Sequence, residues 1–132
     1  MLHQDLRRLA LQTSGEGFTD LTAALNREIA ASGMQRGVAT LVVLHTSCSL
    51  TVNENADPRV LQDLAAHLQA LVPQHGVHSL GANSAPYVYQ HDDEGPDDMP
   101  AHIRTSLTST SLSLSFDRAR LLLGTWQAVY LW

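Results

Sequence analysis

The chain has 132 residues and a formal net charge of −5, with eight arginines, no lysine, 13 acidic residues and one cysteine. This length fits a single domain, residues 1–132, that buries a core without disulfide bonds. The acidic balance excludes two classes of partner, because nucleic acids and anionic membrane surfaces both attract basic patches.

The sequence also predicts a cytoplasmic protein. A lone Cys48 excludes an intramolecular disulfide and favours a reducing compartment. The amino terminus contains acid and arginine and no apolar segment, so we expect no signal peptide. No apolar run approaches the roughly 20 residues that a membrane-spanning helix needs.

The first half of the chain predicts strands and two helices. Leu9 and Leu11 alternate with polar residues, which is typical of a strand, and a continuous β-branched run near residue 40 indicates a buried strand. Asp57 before Pro58 is a typical helix start, with the aspartate as cap. The predicted elements are a strand at 7–14, a helix at 17–33, strands at 39–44 and 49–53, and a helix at 57–73.

The second half predicts mainly strands around one further helix start. Asp98 near a cap position and Pro100 in the first turn indicate that helix. Because helices and paired strands are segregated, the fold class is α+β with an antiparallel sheet. The predicted elements are a loop at 74–86, a strand at 87–91, a helix at 97–107 and strands at 111–116 and 120–132.

Three histidines stand at the ends of predicted elements, where a scaffold presents functional side chains: His45, His91 and His102. Taken alone, His45 is also compatible with a core histidine bonded to a carbonyl group. Neutral imidazole is a common zinc ligand, and three histidines that leave one position open are typical of catalytic zinc. We therefore predict a divalent metal, with zinc preferred over nickel, manganese or cobalt.

The segment between His91 and His102, "HDDEGPDDMPAH", holds five acidic residues. A solvated acidic loop is one interpretation. The Gly-Pro pair instead indicates a defined turn, and Asp98 lies four residues before His102, so one helical turn sets the carboxylate beside the imidazole. We predict that Asp98 orients a metal ligand or a base.

Three other residues are weaker candidates. Glu54, at a strand-to-helix junction, is a candidate ligand, base or partner of Mg²⁺ and phosphate. Gln127, on an otherwise apolar strand, needs a hydrogen-bond partner and is a candidate for the same pocket. Cys48 is interpreted as a small buried residue rather than a thiolate nucleophile.

Three segments together resemble the YjbQ family, known as secondary thiamine-phosphate synthase enzymes: "LHTSCSLTVNENADPRVLQDL", "YQHDDEGPDDMPAHIRTSL" and "LLLGTWQAVYLW". The resemblance implies an antiparallel β-sandwich with two main helices, a homotrimer, and a metal site, often zinc, near subunit boundaries. Family members commonly continue past the last strand, whereas this sequence ends at Trp132. The family pattern matches this chain at His45, Glu54, Asp57, His91, Asp97, Asp98, His102 and Gln127.

The function implied by the resemblance is the joining of a hydroxymethylpyrimidine diphosphate to a thiazole phosphate with loss of pyrophosphate. Histidines would hold a transition metal, and Glu54 and the acidic loop would hold Mg²⁺ against the diphosphate. Because the chain has no lysine, Arg104 is the nearest cationic side chain in sequence for a phosphate. The alternatives are metal-assisted hydrolysis or lyase chemistry on a small phosphorylated metabolite, and a non-catalytic metal- or metabolite-binding trimer.

Overall fold

The computed structural model describes residues 1–78 and 85–132 of the chain. It confirms the predicted α+β class with antiparallel sheets, and its three α-helices lie within the helices predicted at 17–33, 57–73 and 97–107. The helices are α1 (Thr22–Ala31), α2 (Pro58–Leu71) and α3 (Asp98–Leu107). The strands are β1 (Thr19–Asp20), β2 (Arg36–Val42), β3 (Leu50–Glu54), β4 (Val77–His78), β5 (Pro86–Tyr87), β6 (Ser111–Asp117), β7 (Arg120–Leu121) and β8 (Gln127–Leu131).

Two three-stranded sheets form the body of the protein. One has the order β1-β8-β3 and the other β2-β6-β7, and all pairs within them are antiparallel. Both sheets and α1 contribute to one hydrophobic cluster, in which Leu50 and Val129 of the first sheet meet Phe116 and Leu121 of the second. Burial of this shared apolar surface is the main force that holds the sheets together.

The ends of the helices follow from local sequence. The Asp57 carboxylate accepts the Arg59 backbone N–H at 2.9 Å, so Asp57 caps α2 as predicted. The Arg59 guanidinium and this N–H also hold the pKa of Asp57 below its ordinary value of 3.8. Gly33, predicted to end α1, lies two residues beyond it with φ of +76°, a conformation that favours glycine.

The strand predicted at residues 7–14 is wrong. This segment pairs with no strand in the described parts of the chain, and Leu9 and Leu11 are exposed. Arg7 instead ties it to the end of α1, donating to the Ala31 carbonyl at 3.1 Å. Alternation of apolar residues predicts a strand only if a neighbouring strand is available, and local sequence does not supply one.

Four other expectations need correction. The run at 39–44 is half exposed rather than buried, because β2 alternates between the core and an open outer face. The strand predicted at 120–132 is two strands, separated by a turn in which Gln127 Oε1 accepts the Gly124 N–H at 2.7 Å. The strand expected at 87–91 is β5, which begins one residue earlier and ends at Tyr87. The predicted loop at 74–86 includes β4 and the start of β5, and its residues 79–84 lie outside the described part.

No helix in the described ranges combines the length and the apolar character that crossing a membrane requires.

Candidate functional site

His91, Asp98 and His102 meet at the start of α3. Asp98 Oδ2 lies 2.7 Å from His91 Nε2 and 3.1 Å from His102 Nε2. The two imidazole centroids are 5.4 Å apart. The predicted pairing of Asp98 with His102 across one helical turn is thus present, and the same carboxylate oxygen also contacts His91.

A turn at Gly95 brings His91 back onto the helix. Gly95 has φ of +111°, its N–H donates to the Asp92 carbonyl at 3.3 Å, and its own carbonyl accepts the Asp98 N–H at 3.4 Å. A positive φ costs glycine little and other residues more. The glycine of "EGP" is Gly95, and it supplies the backbone conformation that this turn requires. Asp92 and Asp93 stay exposed on its outside.

The loop after β2 fixes the tautomer of the neutral His102 ring. Its Nδ1 lies 3.1 Å from the Thr46 carbonyl oxygen, which only accepts hydrogen bonds, so Nδ1 carries the proton. In the neutral ring Nε2 then holds a lone pair, and that lone pair faces the Asp98 carboxylate. Two electron-rich atoms 3.1 Å apart repel each other unless a proton or a metal cation lies between them.

The donor set of this cluster fits a divalent metal ion. One ligand atom from each of the three residues lies within 4.8 Å of the others. Two imidazoles and a carboxylate suit zinc and other transition metals, and the bond from His102 Nδ1 to a backbone carbonyl is the usual support of a metal-bound histidine. The side chains of Asp98, His102 and His91 are 18%, 31% and 42% exposed, so the site is open to solvent.

His45 lies outside this cluster, so the described part of the chain does not bring the three predicted histidine ligands together. Its Nδ1 is turned back on its own loop, 3.1 Å from the Ser47 N–H and 3.0 Å from Ser47 Oγ. Because a backbone N–H only donates, Nδ1 accepts, and the proton of the neutral ring is on Nε2. In this tautomer neither ring nitrogen of His45 offers a free lone pair to a metal.

His45 and His102 nevertheless line the same open cavity, which has a volume of about 730 Å³. Its wall follows the end of β2, the loop beyond it and one face of α3. Hydroxyl groups dominate the polar part of the wall, and none of the described residues that form it is acidic. The lining residues besides the two histidines are Val43, Leu44, Thr46, Thr105, Ser106, Thr108 and Thr110.

Glu54 and Gln127 are neighbours on paired strands, but the structure places them elsewhere than the cluster and the cavity wall. They face each other in the register of β3 and β8. Glu54 Oε1 accepts the N–H groups of Ala56 and Asp57 at 3.2 and 3.3 Å and so shapes the turn into α2. The side chain of Gln127 binds the Gly124 N–H instead of lining the cavity.

Arg104 corrects the expectation of a phosphate-binding cation. It lies two residues after His102, which places it on the opposite face of α3. Arg104 is buried; its Nη1 pairs with Glu16 Oε1 at 2.9 Å, and its Nη2 donates to the Val72 carbonyl at 3.0 Å. Asp97 precedes α3 without a side-chain cap bond to the described residues and is exposed outside the cluster.

Burial is the largest cause of a raised pKa at two other groups. Burial raises the pKa of the Cys48 thiol, which disfavours the thiolate and agrees with its interpretation as a packed residue. Burial, together with the charges of Asp20 and Glu54, raises the pKa of Tyr130, whose hydroxyl donates to the Glu54 carbonyl at 2.9 Å.

Sequence reasoning missed the roles of Thr46 and Ser47. Thr46 acts through its backbone carbonyl, and Ser47 acts through its backbone N–H as well as its hydroxyl. Backbone contacts have no side-chain signature, although the sequence "HTS" lies at this place. It also missed the cavity wall on α3. Thr105 lies three residues after His102, so helical spacing alone would have placed it beside the imidazole.

Comparisons with known proteins agree with the resemblance. The sequence profile of the family described as UPF0047 protein YjbQ-like matches residues 7–132. A UPF0047 protein of Synechocystis sp. (PCC 6803) is 42% identical over 130 residues, which are 98% of this chain and 80% of that protein. YjbQ of Salmonella typhimurium is 39% identical over 126 residues, 95% of this chain and 83% of that protein.

Solved structures show the same fold. The conserved hypothetical protein TT1486 from Thermus thermophilus has a TM-score of 0.75 and 35% identity, covering 96% of this chain and 87% of that one. A YjbQ/UPF0047 family protein from Clostridium acetobutylicum has a TM-score of 0.75 and 34% identity, covering 92% and 84%. The chain therefore belongs to the UPF0047 family of YjbQ-like proteins.

Proposed function

We propose that the protein binds a divalent metal, preferably zinc, through His91, Asp98 and His102, and uses it on a small phosphorylated substrate. The observation that carries this proposal is the contact of Asp98 Oδ2 with both Nε2 atoms, at 2.7 and 3.1 Å. His102 Nδ1–H donates to a backbone carbonyl, so the lone pair of the neutral ring is on Nε2 and faces Asp98. A cation between Nε2 and the Asp98 carboxylate removes the repulsion between them. A bound metal of this kind supplies a Lewis acid that stabilises charge on phosphate oxygens.

The reaction to test first is the formation of thiamine phosphate from a hydroxymethylpyrimidine diphosphate and a thiazole phosphate. Glu54, Asp97, Arg104 and Gln127 were predicted to take part, but their side chains lie outside the metal cluster. We therefore assign the chemistry to the cluster and its cavity. Contacts of Glu54, Asp97 and Gln127 with substrate, and of Mg²⁺ with a diphosphate, stay predictions.

We expect purified protein to contain bound metal and to form thiamine phosphate slowly, with loss of turnover in chelator and recovery on addition of zinc. His102→Ala should abolish turnover, because it removes a ligand while leaving the sheets intact. Product formation should be followed by chromatography, with His67→Ala on exposed α2 as the matched control.

Two outcomes favour the alternatives. Turnover of other phosphorylated metabolites, dependent on His102 but without thiamine phosphate, favours a metal-assisted hydrolase or lyase. Stoichiometric metal without turnover of any phosphorylated compound favours a non-catalytic metal- or metabolite-binding protein. Turnover that persists in both the chelator and the His102 variant contradicts the metal proposal.

We also propose a cytoplasmic homotrimer that packs through the outer face of β2-β6-β7. Four apolar side chains on or beside this face are between 61% and 82% exposed: Val38, Val42, Leu44 and Leu122. Isolated exposed apolar residues are ordinary, but a cluster on one sheet face is typical of an interface. Leu44 also lines the cavity of His45 and His102, so such packing would lie next to the site.

The mass in solution tests this assembly. Light scattering should give three times the chain mass of 14.4 kDa, and Val42→Asp should reduce it because a charge in an apolar interface is costly. Ser113→Asp places a charge on β6 at the same outer face of the sheet as Val42. It tests whether a charge anywhere on this face lowers the mass in solution. A wild-type mass equal to one chain contradicts the proposal.

A further inference from the structure

One loop holds two histidines in opposite tautomers. The Thr46 carbonyl accepts a hydrogen bond from His102 Nδ1–H at 3.1 Å. The next backbone N–H, that of Ser47, donates a hydrogen bond to His45 Nδ1 at 3.1 Å. Since a carbonyl never donates and an amide N–H never accepts, both assignments follow from the backbone. His102 therefore presents a lone pair on Nε2, whereas His45 presents an N–H.

The N–H of His45 is available to a ligand. His45 is exposed, and within the described residues its Nε2 makes no hydrogen bond. The ring is nevertheless oriented, because two donors from Ser47 converge on Nδ1 at 3.0 and 3.1 Å. An oriented donor loses less entropy on binding than a freely rotating one.

The cavity between the two histidines suits an anionic group. The hydroxyls of Ser106 and Thr108 donate to the carbonyls of Ile103 and Arg104 at 2.7 and 2.8 Å. Those of Thr105 and Thr110 have no such partner in the described parts of the chain and are open to a ligand. Because the described wall holds no acidic residue, an anion entering it meets N–H and O–H donors, and the Asp98 carboxylate, 3.1 Å from His102 Nε2, is the neighbouring charge that a bound metal would offset.

We propose that His45 is not a metal ligand but binds an oxyanion group of the substrate, through its Nε2–H, together with the Thr105 and Thr110 hydroxyls. Phosphate and carboxylate share the chemistry that this subsite recognises. The inference rests on the proposed function for the identity of the substrate, which would place its oxyanion in the cavity and its reacting part toward the metal. The binding chemistry of His45 itself requires no metal.

The tautomers are measured directly by long-range ¹H–¹⁵N correlation of the imidazoles, above the ordinary histidine pKa of about 6.5. We expect a protonated Nε2 in His45 and a protonated Nδ1 in His102. Zinc should shift the nitrogen signals of His91 and His102 and leave those of His45 in place. Inorganic phosphate, added to metal-free protein, should shift the Nε2–H of His45.

Two variants of His45 distinguish the contribution of its N–H donor from that of the rest of its ring. His45→Gln keeps an N–H group near the position of Nε2, and His45→Leu removes it at similar size. We expect metal-free His45→Leu to bind inorganic phosphate at least about tenfold more weakly than wild type, with most of the affinity restored in His45→Gln. Acetate in place of phosphate decides which oxyanion the subsite prefers.

Failures of the two proposals are distinguishable. The role of His45 is overturned if His45→Leu loses zinc affinity as His102→Ala does. It is also overturned if the wild type binds neither phosphate nor acetate at millimolar concentration. A wild type that binds phosphate through His45 but shows no zinc-dependent shift at His91 and His102 overturns the metal site and leaves the oxyanion subsite standing.

Discussion

Replacing His102 with alanine should lower the affinity for zinc by at least about 100-fold, since mutating even outer-shell partners of metal ligands costs about 10–100-fold. The variant removes one of three ligand atoms that lie within 4.8 Å of one another. Affinity should be measured by competition with a chromophoric chelator, on protein whose circular dichroism matches wild type.

Three further variants make this measurement specific to the cluster. Asp98→Asn keeps the shape of the side chain but removes the charge that faces both imidazoles, and His91→Ala removes the second nitrogen ligand. Both should bind zinc much more weakly than wild type. His67→Ala, on exposed α2, should bind it as wild type does. Equal affinity in His102→Ala and His67→Ala contradicts the site.

Part of this site could be predicted because its spacing is local. A carboxylate and an imidazole four residues apart are neighbours on any α-helix, and Asp98 before Pro100 signals where α3 begins. The Gly-Pro pair likewise indicated the turn at Gly95. Together these local signals were enough to bring His91 to His102.

The role of His45 could not be predicted in this way. Which nitrogen of a histidine carries the proton depends on backbone groups that meet it only after folding, here those of Thr46 and Ser47. From the sequence alone, the three histidines were equivalent candidates for metal ligands. The structure divides them into two that face a carboxylate and one that presents a donor to a cavity.

Arg104 differs, because its position was predictable and was overlooked. Two residues on a helix lie about 200° apart at 3.6 residues per turn, so an arginine two positions after His102 cannot share its face. Its burial partners were harder to foresee, since Glu16 and Val72 come from distant parts of the chain. The missing strand at residues 7–14 reflects the same dependence on distant partners.

Replacing Arg104 with methionine should lower the free energy of unfolding by about 3 kcal/mol, the lower end of the range for breaking a buried ion pair. Methionine keeps much of the buried volume but leaves the Val72 carbonyl without its Arg104 donor, while the Glu16 carboxylate keeps the Gln69 Nε2–H donor at 3.2 Å. Glu16 is 41% exposed, so water takes over part of its solvation and limits the loss. Urea denaturation should show a lower midpoint with an unchanged slope.

Arg36→Met is the matched control for the stability measurement. Arg36 also pairs with a carboxylate, Asp117, at 3.0 Å, but its side chain is 83% exposed against 9% for Arg104. Exposed pairs contribute about 0–1 kcal/mol, so its midpoint should barely move. Because Arg104 faces away from His102, the folded Arg104 variant should keep its zinc affinity. If the Arg104 variant instead loses zinc binding without losing stability, Arg104 takes part in the site, as the sequence first indicated.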